Sequence, residues 1–147
     1  MSLQEFYGIL LDNAIEASEE SKEKLLNIVF RNDEKNHRQL IIIENSYANK
    51  DVDTIKIFGK GISEKEKHTG LGLWEVNNIL RKNNNISLFT TKSDTYFKQQ
   101  LEYITKNLFF LNRKTAFKSC FSFFLDYNYN FKVSLVNISS NYIYQWN

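Results

Sequence analysis

The order of its hydrophobic patterns constrains this chain of 147 residues more than any other feature. Apolar residues recur every three or four positions from residue 3 to about residue 20, which predicts an amphipathic helix with the buried stripe Leu3, Tyr7, Leu10, Ala14 and Ala17. A second helical pattern spans residues 73–82. Strand-like segments lie at 25–30 and 39–44, joined by a polar turn at 31–38, and at 86–91 and 96–104. A helix and two strands, repeated after a long polar loop at 45–69, predict an α/β (α+β) fold.

Length and composition indicate one compact unit that is too polar for a membrane protein. The chain is 42% hydrophobic and 24% charged, which supplies enough apolar side chains for a core and excludes collagen-like and disordered classes. No apolar run reaches the ~20 residues that span a bilayer, and the first residues lack the pattern of a signal peptide. We therefore expect a cytoplasmic location. Cys120 is the single cysteine, so an internal disulfide is excluded, as is a zinc site built from thiolates.

The composition changes near residue 105, which predicts a division into residues 1–104 and a C-terminal extension, 105–147. The extension holds 12 of the 22 aromatic residues, and all 5 glycines lie before it. Its apolar segments 108–111 and 121–125 and its alternating segment 131–138 either add packing to the domain or cover a sheet edge that a missing strand leaves bare. Its basic and aromatic residues form no recognisable nucleic-acid recognition motif, so we expect no nucleic-acid partner.

A first motif lies on the predicted first helix, at residues 8–17, which read Gly-Ile-Leu-Leu-Asp-Asn-Ala-Ile-Glu-Ala. Ile9, Asn13 and Glu16 share one stripe at helical spacing, beside the buried stripe. An amide oxygen and a carboxylate three residues apart are suitable ligands for Mg²⁺, which keeps water and phosphate oxygens as its other ligands. On this segment alone, an amphipathic helix with a solvated acidic face is the favoured interpretation.

A second motif contains glycines and leads straight into the second helix. It begins with Gly59-Lys60-Gly61 and ends with His68-Thr69-Gly70-Leu71-Gly72-Leu73. Glycines let a backbone approach an anion closely, and the first N–H groups of a helix bind phosphate. The segment matches neither the Walker A motif nor the dinucleotide fingerprint. It predicts a phosphate-binding turn, with a flexible loop that ends in a helix cap as the alternative.

Together and in this order, the two motifs resemble the ATP-binding catalytic domain of sensor histidine kinases. That domain belongs to the GHKL superfamily, with type II DNA topoisomerases, a heat-shock chaperone and mismatch-repair ATPases. Residues 10–17 resemble the N box, and residues 70–73 resemble the second glycine box. A likeness to the peptide-pheromone receptor kinases of Gram-positive quorum sensing extends to residues 43–45 and 61–65. The resemblance covers residues 3–104 and implies a two-layer sandwich, with helices on one face of a mixed sheet, that lacks its N-terminal strand.

The resemblance implies ATP and Mg²⁺ as cofactors. Asn13 would coordinate the metal through its amide oxygen, with Glu16 in the same neighbourhood. Asn45, at the end of the second strand, would contact the adenine, because an amide donates and accepts hydrogen bonds at once.

The resemblance also implies how the triphosphate is held. Backbone N–H groups of the second glycine box would bind the phosphates, Leu71 and Leu73 would anchor this turn to the core, and Lys60 or Lys65 would reach phosphate oxygens. The implied nucleotide-binding residues are Asn13, Glu16, Asn45, Lys60, Lys65, Thr69, Gly70, Leu71, Gly72 and Leu73.

Three departures from the family pattern bear on activity. Residues 44–48, Glu-Asn-Ser-Tyr-Ala, contain no glycine where most histidine kinases have Asp-x-Gly-x-Gly. Ile9 stands where many kinases have asparagine and the hydrolysing GHKL enzymes have a glutamate that acts as a base, which argues against efficient hydrolysis of ATP. The strand and the phosphoacceptor helix that precede the N box in the family are missing, and neither His37 nor His68 resembles the acceptor.

The resemblance therefore implies a fragment of a histidine kinase that has no phosphoacceptor histidine or other catalytic residue of its own. The γ-phosphoryl group of ATP would pass to a histidine on another domain, and then to an aspartate on a response regulator. The expected partners are the phosphoacceptor domain of a homodimeric parent kinase, anchored in the membrane by its missing N-terminal region, and that response regulator. A non-catalytic protein-interaction remnant and a stand-alone GHKL ATPase remain the alternatives.

Overall fold

The computed structural model describes residues 3–33, 35–61, 71–104, 130–137 and 142–146, and it describes the last two segments as backbone only. Lys65, His68, Thr69, Gly70 and Cys120, and the predicted apolar segments 108–111 and 121–125, lie outside these residues. The elements are, in chain order, α1 (Leu3–Glu20), β1 (Leu25–Asp33), β2 (Arg38–Ser46), a 3-10 helix (Lys56–Phe58), α2 (Gly72–Lys82), β3 (Ile86–Lys92), β4 (Tyr96–Ile104), β5 (Asn130–Asn137) and β6 (Tyr142–Trp146).

The six strands form one mixed sheet in the order β3-β4-β2-β1-β5-β6. All neighbours are antiparallel except β1 and β5, which run parallel. The chain reaches β3 from β2 through α2 and skips one position, because β4 lies between these two strands. The mixed sheet expected from the sequence is confirmed.

The hydrophobic core lies between the two helices and one face of the sheet. Ile28 of β1 pairs with Ile43 of β2, and Ile41 of β2 pairs with Leu101 of β4. Successive side chains of a strand point to opposite faces, and Ile41 and Ile43 lie two residues apart, so these four side chains share one face of the sheet. These residues form one cluster with buried side chains of both helices, which are Phe6, Leu10, Leu11, Ala14, Ile15 and Val76. A two-layer sandwich with helices on one face is therefore the observed architecture.

The buried face of α1 is wider than the sequence predicts and is rotated relative to the predicted stripe. Tyr7 and Ala17 are only half-buried, whereas Phe6, Leu11 and Ser18 are buried. The reason is that α1 packs against both the sheet and α2, so two adjoining sides of the helix are covered. Ser18 is tolerated there because its hydroxyl donates a hydrogen bond to the carbonyl of Ile15 at 2.8 Å.

The first hairpin is longer, and its turn shorter, than the predicted polar turn at 31–38. Arg31 pairs with Leu40 and Asp33 pairs with Arg38, so polar residues continue both strands. The Asp33 carboxylate accepts hydrogen bonds from the Asn36 side chain at 2.8 Å and from Arg38 Nε at 3.0 Å. These contacts hold the pKa of Asp33 below its ordinary value, the Asn36 side chain being the largest cause. The prediction from polarity alone therefore placed the ends of these strands incorrectly.

A buried serine pair fixes the end of α1 to the edge of β1 and β2. The hydroxyl groups of Ser21 and Ser46 share a hydrogen bond of 2.6 Å, and Ser46 Oγ accepts the backbone N–H of Leu25 at 2.8 Å. Ser21 Oγ also lies 2.8 Å from the Ser18 carbonyl, to which it donates. Each buried hydroxyl thus has a partner, as burial of a polar group requires.

The described part of the segment between β2 and α2, residues 47–61, is mostly irregular, as predicted, and contains a short 3-10 helix at Lys56–Phe58, where the sequence has apolar residues. The Asp53 carboxylate begins this helix, because it accepts the backbone N–H groups of Ile55 at 2.9 Å and Lys56 at 3.1 Å. Phe58 packs against the core, whereas Ile55 is 83% exposed. The short helix contacts α2 and so fixes how the segment approaches that helix.

The C-terminal extension adds two strands to the sheet. β5 pairs with β1 from Leu25–Asn130 to Asn32–Asn137, along the side of β1 that faces away from β2. β6 then pairs with β5 and was not predicted from the sequence. Of the two interpretations of the extension, this pairing matches coverage of the β1 edge.

Candidate functional site

Asn13 lies in the middle of α1 and is half-buried. Its Nδ2 donates a hydrogen bond to the Ile9 carbonyl one turn earlier, at 2.6 Å. The helix backbone thus uses the amide nitrogen and fixes the orientation of the side chain. The carbonyl oxygen Oδ1 remains the atom with which Asn13 can bind a cation.

Gly72, the first residue of α2, lies directly against α1. A Cβ atom on Gly72 would come within 3.1 Å of Cγ2 of Ile9, a distance at which one of the two groups must shift. Glycine therefore permits a close approach of the two helices at this point. Because Ile9 precedes Asn13 by one turn, the structure brings the first turn of α2 close to the predicted metal ligand.

The N-terminus of α2 can bind an anion. The first intrahelical bond there joins the Glu75 N–H to the Leu71 carbonyl at 2.8 Å, and no side chain caps the helix. The N–H groups of Gly72, Leu73 and Trp74 precede that bond and have no acceptor within the helix. Backbone N–H groups in this position bind phosphate, assisted by the helix dipole.

Leu73 and Leu71, which the resemblance expects to anchor this turn, differ in exposure. Leu73 is half-buried and packs against the core. Leu71 is 36% exposed and immediately precedes the helix. The role of Leu71 at the nucleotide site stays a prediction, whereas Leu73 lies with Val76 on the side of α2 that faces the core.

Lys60 reaches the same end of α2. Its Nζ lies 5.2 Å from the centroid of the Trp74 ring, in a cation–π contact with the first turn of the helix. Gly61 follows with a φ of 70°, a left-handed backbone conformation that favours glycine. A cation and the free N–H groups of a helix thus lie close together, as a site for phosphate requires.

Asp12 and Glu16 add negative charge beside Asn13. Partial burial raises the pKa of Asp12 above its ordinary value, and the charge of Glu16 one turn away raises it further. Glu16 itself is half-buried. A bound divalent cation would relieve this repulsion, so the charge of the first helix suits a metal ion.

Asn45 lies at the end of β2, on the face of the sheet that the helices cover, and is 2% exposed. Its Nδ2 donates to the Ser46 carbonyl at 2.9 Å. Its neighbours across the sheet are Leu26 and Phe97. Asn45 is therefore a buried residue of the sheet, on the face that packs against the helices.

The structure reveals two kinds of residue that the sequence did not single out. The ring of Trp74 contacts Nζ of Lys60. The position of Trp74, two residues after Gly72, is the sequence signal that could have identified it. Tyr47 and Lys92 fasten the segment after β2 to the turn between β3 and β4, and no local pattern indicates this contact because it joins distant parts of the chain.

The family model of the GHKL domain matches residues 1–103. The chain therefore belongs to the GHKL family. Domains of this family bind ATP, generally with Mg²⁺, and the family includes histidine kinases and other ATPases. No curated protein matches the chain.

The donor set around Asn13 fits a magnesium ion bound together with a nucleotide. Within the described residues, no group of three or more His, Cys, Asp or Glu side chains could hold a metal ion by themselves. Mg²⁺ is commonly held by one or two protein oxygens together with phosphate oxygens and water, rather than in a cage made only of protein.

None of the helices that the structure describes is long and apolar enough to cross a membrane.

Proposed function

We propose that this chain binds Mg-ATP as the catalytic domain of a two-component sensor histidine kinase of the peptide-pheromone type. Asn13 would coordinate Mg²⁺, with Glu16 nearby, and the N–H groups that begin α2 would hold the phosphates. Lys60 would add a positive charge near the terminal phosphates. Lys65, Thr69 and Gly70 keep the nucleotide-binding roles that the resemblance implies.

The contact of Gly72 with Ile9 supports the proposal, because Ile9 lies one helical turn before Asn13 on α1. Metal coordination by Asn13 and phosphate binding by α2 need such proximity, since Mg²⁺ must bridge the protein and the phosphates. The nearby Lys60 supports the same assignment, since a triphosphate carries several negative charges.

We further propose that the phosphoryl group goes to a histidine on another domain rather than to water. Hydrolysis needs a base that activates water, and the position of that base is filled by Ile9, whose side chain packs against Gly72. Transfer to an imidazole nitrogen does not need this base. The partners would be the phosphoacceptor domain of a homodimeric, membrane-anchored parent kinase and a response regulator, and the domain would act in the cytoplasm.

Calorimetric titration with ATP, with and without Mg²⁺, tests nucleotide binding. We expect saturable binding that is tighter with Mg²⁺ and negligible steady release of phosphate. No heat up to millimolar nucleotide would overturn the proposal. Steady release of phosphate that Asn13→Ala abolishes would instead identify a stand-alone ATPase.

A non-catalytic interaction module is the second candidate, and one observation favours it. The Asn45 amide nitrogen is already bound to the Ser46 carbonyl, and the segment has no acidic residue in the place where most histidine kinases contact adenine. Adenine would then lack its main polar contact. The same titration separates the two candidates, because such a module binds no nucleotide.

A further inference from the structure

The segment that follows β2 is fastened to the turn between β3 and β4. Lys92, at the end of β3, donates from Nζ to the carbonyl of Lys50 at 2.9 Å and to the carbonyl of Val52 at 2.8 Å. The hydroxyl of Tyr47 donates to the carbonyl of Ser93 in the same turn. We call the contacts of Lys92 and Tyr47 with these carbonyls the loop tether.

Tyr47 is held firmly enough to act as one half of this tether. It is buried, and its ring packs edge-on against Phe97, with 6.0 Å between the ring centroids. Nζ of Lys50 lies 4.0 Å from the centroid of the Tyr47 ring and donates to the Tyr47 carbonyl at 3.0 Å. The contacts of Tyr47 with Phe97 and Lys50 therefore fix the beginning of the segment.

Lys92 forms the other half of the loop tether through its charged ammonium group. Hydrogen bonds from an ammonium group to carbonyl oxygens are stronger than those between neutral groups. The two acceptors lie two residues apart in an exposed turn, so a single side chain orders the backbone of residues 50–52. This ordering replaces the rigidity that a glycine-containing turn with its own hydrogen bonds would provide.

The opposite end of the same segment reaches the phosphate-binding end of the site. Lys60 lies over Trp74, and the 3-10 helix between the two ends contacts α2. Residues 47–60 therefore run from the buried end of β2, next to Asn45, to the first turn of α2. Under the proposed function, a nucleotide with its base near the end of β2 and its phosphates at α2 would lie beside this segment.

We propose that Lys92 is a positioning residue, which through the loop tether holds residues 47–58 in the conformation that binds the base half of the nucleotide. The inference rests on the proposed function. A segment that is ordered before the ligand arrives does not cost binding energy when the ligand binds, so the tether increases affinity without touching the nucleotide. The tether should increase the affinity only for ligands that contain the base, because the phosphates are bound elsewhere, at α2.

The test compares Lys92→Met with the wild-type chain by calorimetry, using Mg-ATP and Mg-triphosphate as ligands. We expect Lys92→Met to bind Mg-ATP about tenfold more weakly and Mg-triphosphate as tightly as the wild type. Lys82→Met is the matched control, because it removes the same charge from the exposed end of α2, and it should change neither affinity. Lys92→Arg should restore part of the loss, because arginine can also donate to both carbonyls.

Unchanged affinity of Lys92→Met for Mg-ATP would overturn the inference, and so would equal losses for the two ligands. The tether also has a test without nucleotide, which keeps it distinct from the proposed function. Amide hydrogens of residues 47–57 should exchange faster in Lys92→Met than in the wild type and in Lys82→Met. Equal exchange rates would show that the tether does not order the segment, whether or not the chain binds ATP.

Discussion

At the scale of single residues, Asn13 is the most direct test of the site. Replacing Asn13 by alanine removes the amide oxygen assigned to Mg²⁺ and one hydrogen bond within α1. We expect ATP binding to lose its dependence on Mg²⁺, while the melting temperature falls by only a few degrees, because a side-chain hydrogen bond contributes about 1 kcal/mol. Calorimetry with and without Mg²⁺ and thermal unfolding measure the two effects.

Asn84→Ala is the matched control for this variant, because Asn84 is an exposed asparagine in the turn after α2. It should retain the magnesium dependence of the wild type. If Asn13→Ala unfolds, or if it still binds ATP more tightly with Mg²⁺, the assignment of Asn13 as metal ligand is wrong.

Asp12 gives a prediction that depends on pH. Burial and the charge of Glu16 raise its pKa in the folded protein, so the folded state binds the proton more tightly than the unfolded state does. The resulting stabilisation is fully present below the ordinary pKa of 3.8 and is lost as the pH rises through the folded value. Asp12→Asn should therefore be more stable than the wild type at pH 7 without metal, and this difference should vanish near pH 3.

Thermal unfolding across this pH range measures the effect, with Asp51→Asn as the control. Asp51 is an exposed residue in the loop after β2, outside α1. If the wild type is as stable as Asp12→Asn at pH 7, the ionised Asp12 carboxylate does not destabilise the folded protein.

At the scale of elements, the contact between the two helices determines phosphate binding. Valine in place of Gly72 would push the first turn of α2 away from Ile9, because even a Cβ atom comes within 3.1 Å of that side chain. We expect the affinity for Mg-ATP to fall tenfold or more, whereas the affinity for adenosine should hardly change. Calorimetry with both ligands checks this, and equal losses would contradict a phosphate site at α2.

A compensating pair makes this prediction sharper. Gly72→Ala should weaken Mg-ATP binding less than Gly72→Val does, because only one methyl group is added. Shortening the opposing side chain by Ile9→Ala removes the Cγ2 atom that this methyl group meets and should restore binding. If the double variant binds no better than Gly72→Ala, steric contact with α1 is not the cause.

The sequence predicted the existence of most elements and placed their ends less well. Apolar spacing located both helices and both hairpins because each buries one face. β1 and β2 extend beyond their apolar residues, since Asp33 and Arg38 pair across the strands and satisfy each other's charge. β6 was missed because it is a five-residue strand in a part of the sequence without glycine or proline to mark its limits.

The candidate site was predictable only in part. The proximity of the Asn13 region to Gly72 followed from two motifs and their resemblance to a family, and the structure places these regions together. The contact of Lys60 with Trp74 and the tether of Lys92 depend on tertiary approach between residues far apart in sequence. The exposure of Leu71 was not predictable from helical periodicity, because this residue lies just before α2.

At the scale of the whole molecule, the extension determines whether β1 is an edge strand of the sheet. A chain that ends at residue 104 would lose β5 and expose the N–H and C=O groups of β1, which invites pairing with a second chain. We expect this shortened chain to self-associate with rising concentration and the full chain to do so less. Size-exclusion chromatography across a concentration series distinguishes the two, and a shortened chain that stays monomeric would show that β5 does not protect β1.

The same shortened chain separates sheet protection from nucleotide binding. All the described residues proposed to bind Mg-ATP precede residue 105, so the shortened chain should bind Mg-ATP with nearly the affinity of the full chain. A complete loss of binding in a chain that remains folded would assign part of the site to the extension.

The pairing of β1 with β5 also has a consequence for biosynthesis. On the ribosome, β1 is translated about 100 residues before its parallel partner β5. The nascent domain therefore spends most of its synthesis with one flank of β1 unprotected, in the period when neighbouring nascent chains on a polysome are close by. A pairing so distant in sequence also forms slowly, so a chaperone that shields this flank would raise the yield of the native protein.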